Sequence, residues 1–250
     1  MRGATCELPT AEPRASSSGL TSFLELVRAR RSTRHFRPDP VPAALLDELL
    51  EAARWAPSGF NLQPTHFVVV TDPQVKAQLC PACMNQRQVL EAGATVVFTG
   101  DRRVLENHFE RVLEQDRAAG AIDQAYENLM RKGVPLSFDQ GPLGIGWLWK
   151  AVVAFVAERF VPIPKVQAVH KSYWLAKQVS LSAMVFMLAA EAAGLTTCPM
   201  EGFGEHAVRR VLGIPSSQTV VLVVPVGYAD NSGMRKTRLP LAGRLHRDRW

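Results

Sequence analysis

The nine residues Arg28-Ala29-Arg30-Arg31-Ser32-Thr33-Arg34-His35-Phe36 carry four guanidinium groups, an imidazole and two hydroxyls. Fixed cations with hydrogen-bond donors can seat an anion, and the planar fork of arginine matches phosphate oxygens. As a helix, this stretch would put Arg30 and Arg34 on one face, with Ser32 adding a hydroxyl. A solvated helix end has the same composition, its cations complementing the dipole and facing water. Taken alone, the block favours this simpler reading.

Three other clusters set polar groups beside chain-breaking residues. In Ala56 to Phe67, Pro57, Gly59 and Pro64 force a loop, and Ser58, Asn61 and Gln63 offer groups to a flat heterocycle. An ordinary helix-to-strand connection looks alike. In Cys198 to Gly204, Gly202 and Gly204 let backbone approach a ligand just before a helix N-terminus. A plain strand-to-helix turn uses glycines in the same way. In Arg235 to Leu241, Lys236 and Arg238 alternate, so an extended chain points them the same way. A solvated basic tail is the alternative.

Nucleophile and metal motifs are not evident. Cys80-Pro81-Ala82-Cys83 has the spacing of redox dithiols and half-zinc sites. No second cysteine pair completes a zinc site, and no thioredoxin-like strand–turn–helix surrounds it, so the spacing reads as incidental. His35, His66, His108, His170, His206 and His246 form no H-E-x-x-H and no triad signature. No metal site is expected.

The elements that must position these groups follow from periodicity. Phe23, Leu24, Leu26 and Val27 predict a short helix. Pro42 opens a second, with Leu45, Leu46, Leu49, Leu50 and Ala53 at helical spacing. His66 to Thr71 and Ala94 to Gly100 read as strands. Arg102 to Arg131 reads as mostly helical, broken at Gly120. Val166 to Ala193 reads as a long helix stopped by Gly194. A short extended piece follows, then a helix over Glu205 to Leu212 closed by Gly213, and a central strand over Thr219 to Ala229. Strands and helices mix without βαβ alternation, and no G-x-G-x-x-G or Walker motif follows a strand. That pattern predicts an α+β layer structure.

The chain has 250 residues and a net charge of +6. That balance favours anionic ligands without being a nucleic-acid signature, and no nucleic-acid partner is expected. Residues 1–19 read as a flexible tail with no apolar signal core, and 20–250 as one domain ending in a basic tail. Four scattered cysteines fit a reducing cytoplasm. Gly141 to Pro164 is apolar but interrupted by Lys150, too short a run to span a bilayer. It reads as buried or interfacial, with peripheral membrane contact as the other option.

In order along the chain, "RRSTRHF", "APSGFNLQPTHFVVV", "WLAKQVSLSAMVFMLAAEAAGL", "CPMEGF", "VGYA" and "KTRLP" resemble the FMN-dependent nitroreductase family, most closely its oxygen-insensitive NAD(P)H type. The likeness runs from about Phe23 to Pro240 and is poor over 133–166. It implies an antiparallel-dominated sheet flanked by helices, in an intertwined homodimer with FMN at the interface and NADH or NADPH as donor. By this resemblance Arg30, Ser32, Lys236 and Arg238 seat the FMN phosphate, with Arg31 assisting. Arg34 and Asn85 face the pyrimidine edge. Pro57, Ser58, Gly59 and Asn61 reach in from the partner subunit. Pro199, Met200, Glu201 and Gly202 line the dimethylbenzene side and N5. The flavin carries the chemistry, so no catalytic side chain is implied.

Two departures stand out. Relatives often carry a lysine one turn after the Asn85 position, where this chain has Gln88, which leaves Arg34 as the main cation there. The divergent 133–166 segment holds Trp147, Trp149, Phe155 and Phe160, which suggests a large aromatic or quinone-like acceptor.

Overall fold

The β-branched runs become the inner strands of a four-stranded sheet in a computed structural model that describes residues 17–138, 171–230 and 236–250. β1 (Thr65–Val70), β2 (Ala94–Asp101), β3 (Thr196–Thr197) and β4 (Gln218–Gly227) lie in the order β1-β2-β4-β3, and every pair is antiparallel. All of β2 is buried, as expected of a strand covered on both faces. Alternation sends Val96 and Phe98 to one side and Val97 to the other. A bulge between Phe98 and Thr99 shifts the β2–β4 register, so Leu222 and Val221 both join the first side.

That first side is covered by α2 (Ala43–Arg54) and α7 (Lys171–Ala192), which pack on each other. Their Leu46, Leu49, Val179, Ala183 and Phe186 meet Phe98 and Val224. The other side is covered by α3 (Pro73–Ala82), the short α4 (Gln88–Glu91) and α8 (Glu205–Leu212), through Leu79, Val89 and Val208. A satellite cluster joins Leu62 and Trp174 to a π-helical turn (Leu105–Phe109), α5 (Glu110–Ala118) and α6 (Gln124–Phe138). Arg131 ties the last two together through Glu110 and Glu127.

Helix boundaries follow local chemistry. The Asp72 carboxylate accepts from the Gln74 amide and Pro73 takes the first position, so α3 starts there. Gly213 adopts φ 65°, a left-handed C-cap that ends α8 as expected. Gly194 (φ 75°) follows α7 in the same way, and Gly120 (φ 67°) separates α5 from α6. Pro42 caps α2 rather than occupying its first turn. The start of the long helix at 166–170 and the apolar segment at Gly141 to Pro164 lie outside the described residues.

α7 is apolar all round and is long and apolar enough to cross a membrane by length and composition. In the described chain one side of it lies on the sheet, while Tyr173, Leu181 and Met184 remain exposed on the other.

Cys80, Cys83 and Cys198 are free and buried. Burial pushes the Cys83 thiol up to about 12, so at pH 7 about one in 10⁵ is ionised. Cys83 is therefore expected to resist maleimide in the native protein at pH 7 and to react on unfolding. Peptide mapping of the labelled protein checks this, and rapid native labelling at Cys83 would contradict it.

Candidate functional site

α1 (Ser17–Ala29) stops just before the arginine cluster. The expected helical face shared by Arg30 and Arg34 is therefore corrected: the chain from Arg30 onward is extended. The reason is pairing at the sheet margin. Ser32 bridges Thr197, the Thr33 amide donates to the Thr197 carbonyl at 3.0 Å, and Phe36 bridges Ala229. An extended chain repeats every two residues, so Arg30, Ser32 and Arg34 share one side after all.

The C-terminal segment closes this site from above the helix end. The Lys236 ammonium donates to the Val27 carbonyl at 2.6 Å and the Arg30 carbonyl at 2.7 Å, with a longer contact of 3.3 Å to the Arg28 carbonyl. These carbonyls are those a helix leaves unpaired at its C-terminus. The cation complementing the α1 dipole is thus Lys236, from the far end of the chain. Loss of solvation, with Arg30 and Arg238 nearby, lowers the Lys236 pKa. Arg30 itself is half-buried, and its Nη1 is fully enclosed without a hydrogen-bond partner among the described residues. A buried guanidinium nitrogen left unpaired is costly, and an anion would relieve it.

Hydrogen bonds of Lys236 to carbonyls are charge-assisted and worth about 1.5–3 kcal/mol each. Lys236→Met is therefore expected to fray the last turn of α1. Exchange of the Arg30 amide, which donates to the Leu26 carbonyl, should speed up about tenfold or more. Unchanged exchange there would show that the ammonium does not hold the turn.

Two more predicted segments meet the first. Cys198 follows β3, and its thiol is pushed up by burial while Arg34 and Arg30, within electrostatic reach, and a hydrogen bond from Gln88 act against that rise. The Gln88 amide donates to the Gln86 Oε1 at 2.9 Å and approaches the Cys198 sulfur at 3.9 Å. The Gln86 amide donates to the Gly202 carbonyl at 2.8 Å. Gln88, where relatives often carry lysine, is thus a buried strut between the Asn85 and Pro199–Gly202 segments. Asn85 sits at φ 54° beside Met84 at φ 56°, a left-handed pair beyond α3. Such conformations in non-glycine residues are uncommon and concentrate at functional sites. Met200 pairs with Val223 across the sheet and is buried, whereas Glu201 is exposed. Gln86 escaped sequence reasoning, and Gln88 entered it only as a missing lysine, because a neutral amide carries no motif.

The Pro57–Asn61 loop makes its contacts elsewhere. Gly59 donates to Gln178 Oε1 of α7 at 2.7 Å, and the Asn61 amide donates to Asp116 of α5 at 3.0 Å. Ser58 Oγ accepts from the Gln63 amide at 2.9 Å. Phe60, Asn61 and Gln63 all hold positive φ (57°, 52° and 48°). A Cβ on Gly59 would lie 3.1 Å from the Trp174 indole nitrogen, so any side chain there requires the indole to give by a few tenths of an ångström. A cleft of about 280 Å³ beside the loop is lined by Pro57, Ser58, Gln63, His108, Arg111 and Gln178. None of the arginine cluster lines it.

An antiparallel sheet flanked by helices, with a basic cluster at the end of α1 and a strained loop before β1, defines an α+β class of fold. Residues 27–228 match the Nitroreductase family, and the chain belongs to that family. It is 34% identical over 212 residues to an NADH dehydrogenase of Thermus thermophilus, covering 85% of this chain and 89% of that protein. It is 29% identical over 223 residues to the oxygen-insensitive NAD(P)H nitroreductase of Salmonella typhimurium, covering 85% and 93%. Among solved structures it resembles a chain from Exiguobacterium sibiricum described as a nitroreductase in complex with FMN. That pair has a TM-score of 0.69 and 25% identity, with 90% of this chain and 97% of that one covered.

Proposed function

We propose that this chain is an FMN-dependent NAD(P)H oxidoreductase that works as a cytoplasmic homodimer. The observation that carries the reading is the enclosed Nη1 of Arg30, unpaired among the described residues, with Arg34, Lys236 and Arg238 nearby. The terminal phosphate of FMN carries close to two negative charges and three acceptor oxygens, comparable to a phosphoserine at about −1.5 to −2. The residues present fit that group.

Arg30, Ser32 and Arg238 would hold the phosphate, with Arg31 adding charge and Lys236 fixing the Arg30 backbone from behind. Arg34 and Asn85 would hold the pyrimidine edge, and Arg34 would favour negative charge there. Pro199, Met200, Glu201 and Gly202 would line the opposite edge, kept in place by the Gln86–Gly202 hydrogen bond. When bound, FMN would supply hydride transfer at N5 between NADH or NADPH and an acceptor admitted to the same pocket. The chain's part is to bind, orient and exclude water.

A homodimer supplies what one chain lacks. Leu20 and Phe23 of α1 are 59% and 50% exposed, and the outer side of α7 shows Tyr173, Leu181 and Met184. Such apolar faces call for a covering partner. A second copy would also bring Pro57, Ser58, Gly59 and Asn61 to the seat. The free thiols fit a reducing compartment. A nitroaromatic, quinone or related lipophilic compound is the acceptor this reading favours, given the aromatic 133–166 segment.

The test is the absorption spectrum of the purified protein, followed by anaerobic mixing with NADH or NADPH. Flavin bands that bleach on mixing support the proposal. A protein that stays colourless after incubation with FMN would end it.

A further inference from the structure

The fold brings together three metal-ligating side chains that no sequence motif joins. His66 lies opposite Thr99 in the β1–β2 register, and Asp101 is two residues beyond Thr99. Both therefore stand on the same face of the sheet as diagonal neighbours. His108 reaches the same spot from the π-helical turn after β2. π turns are rare and mark functional sites more often than regular helix does. One ligand atom from each of the three lies within 4.8 Å of the other two.

The geometry points to a second site in this protein, a divalent transition-metal centre formed by His66, Asp101 and His108. Three atoms held tetrahedrally at about 2 Å from one zinc ion lie about 3.3 Å apart. The His108 Nε2 to Asp101 Oδ2 distance is already 3.5 Å. The two imidazoles meet edge to face with centroids 5.5 Å apart, and the surface position of His66 leaves its ring room to turn.

Asp101 is prepared as a ligand. It is 1% exposed, so its charge needs compensation that water does not give. Its Oδ1 accepts from the Arg103 amide at 2.8 Å, and its Oδ2 from the Asn107 side chain at 2.7 Å. These bonds fix the carboxylate and leave lone pairs for an ion, as supporting contacts do around bound metals. The neighbouring cation Lys171 donates to the Arg102 carbonyl at 2.7 Å, and no ion pair joins it to Asp101 among the described residues. Two imidazoles and one carboxylate suit Zn²⁺ and leave a fourth position for water. His108 also lines the cleft beside Ser58, so the ion would stand at the cleft wall.

The probe is ZnCl₂ added to the chelator-treated full-length protein, read by bound metal after gel filtration. Wild type should hold about one zinc per chain, and His66→Ala and His108→Ala should each bind about 10- to 100-fold more weakly. Flavin content should be the same in all three proteins, so this result is independent of the flavin reading. Asp101→Asn is a poor probe, because the carboxylate also supports Arg103 and Asn107. Wild type without saturable zinc binding would overturn the site, leaving a bare His108–Asp101 contact. Equal binding by wild type and both histidine variants would overturn it too.

Discussion

Arg30→Ala is expected to purify with almost no flavin, while its apoprotein unfolds at the same urea concentration as wild-type apoprotein. Removing one partner of a buried charged contact weakens binding by about 2–5 kcal/mol, at least about 30-fold in affinity. Apoprotein stability should hold because the deleted Nη1 has no hydrogen-bond partner among the described residues. Fluorescence titration with FMN and a urea curve together read both effects. Two controls divide the arginine block. Arg34→Ala should keep flavin and lower its reduction potential, since a cation near the pyrimidine edge favours the reduced form. Arg28→Ala, exposed on the last turn of α1, should change neither quantity. Full flavin retention in Arg30→Ala would place the phosphate seat elsewhere.

Phe98→Ala should be the most destabilising single truncation in the sheet. The ring is fully buried between Phe67 and Phe186, with centroids 5.4 Å from each in edge-to-face packing. Truncating such a residue costs about 3–5 kcal/mol, because the transfer loss is joined by a cavity the core cannot close. Loss of the two aromatic contacts puts Phe98 at the upper end of that range. Urea denaturation monitored by circular dichroism measures the shift. Phe98→Leu should recover more than half of it, since volume is largely kept. A shift below about 1 kcal/mol for the alanine variant would mean that the α7 face of the core collapses freely onto the gap.

The readable parts of this protein were those governed by short-range rules. Val96 to Phe98 and Val220 to Val226 are β-branched and apolar enough to be buried strands, and they are. Gly213 and the Asp72–Pro73 start have local causes, so those helix ends were also legible. The segment after Ala29 was not, because its conformation is set by Thr197, which lies far along the chain. Arg30 and Lys236 do lie together, but the arginine block pairs with Thr197 as an extended chain and does not continue α1. Lys236 was assigned to an anion, yet its ammonium bonds carbonyls of the α1 end, a partner choice that charge alone does not decide. The His66–Asp101–His108 cluster was invisible for the same reason, since strand register and a π turn create it.

The Lys236 contact with Val27 and Arg30 spans separations of 209 and 206 residues. It joins the first described helix to the last basic segment, so the arginine seat is among the last features the growing polypeptide can complete. Closing so long a loop adds entropy cost but little beyond that of a loop half as long. The consequence is temporal: a ribosome that stalls before residue 236, or a protease that trims the end, leaves a sheet able to form and a seat unable to close. On the proposed reading, occupancy by the flavin would report that the polypeptide extends through residue 236.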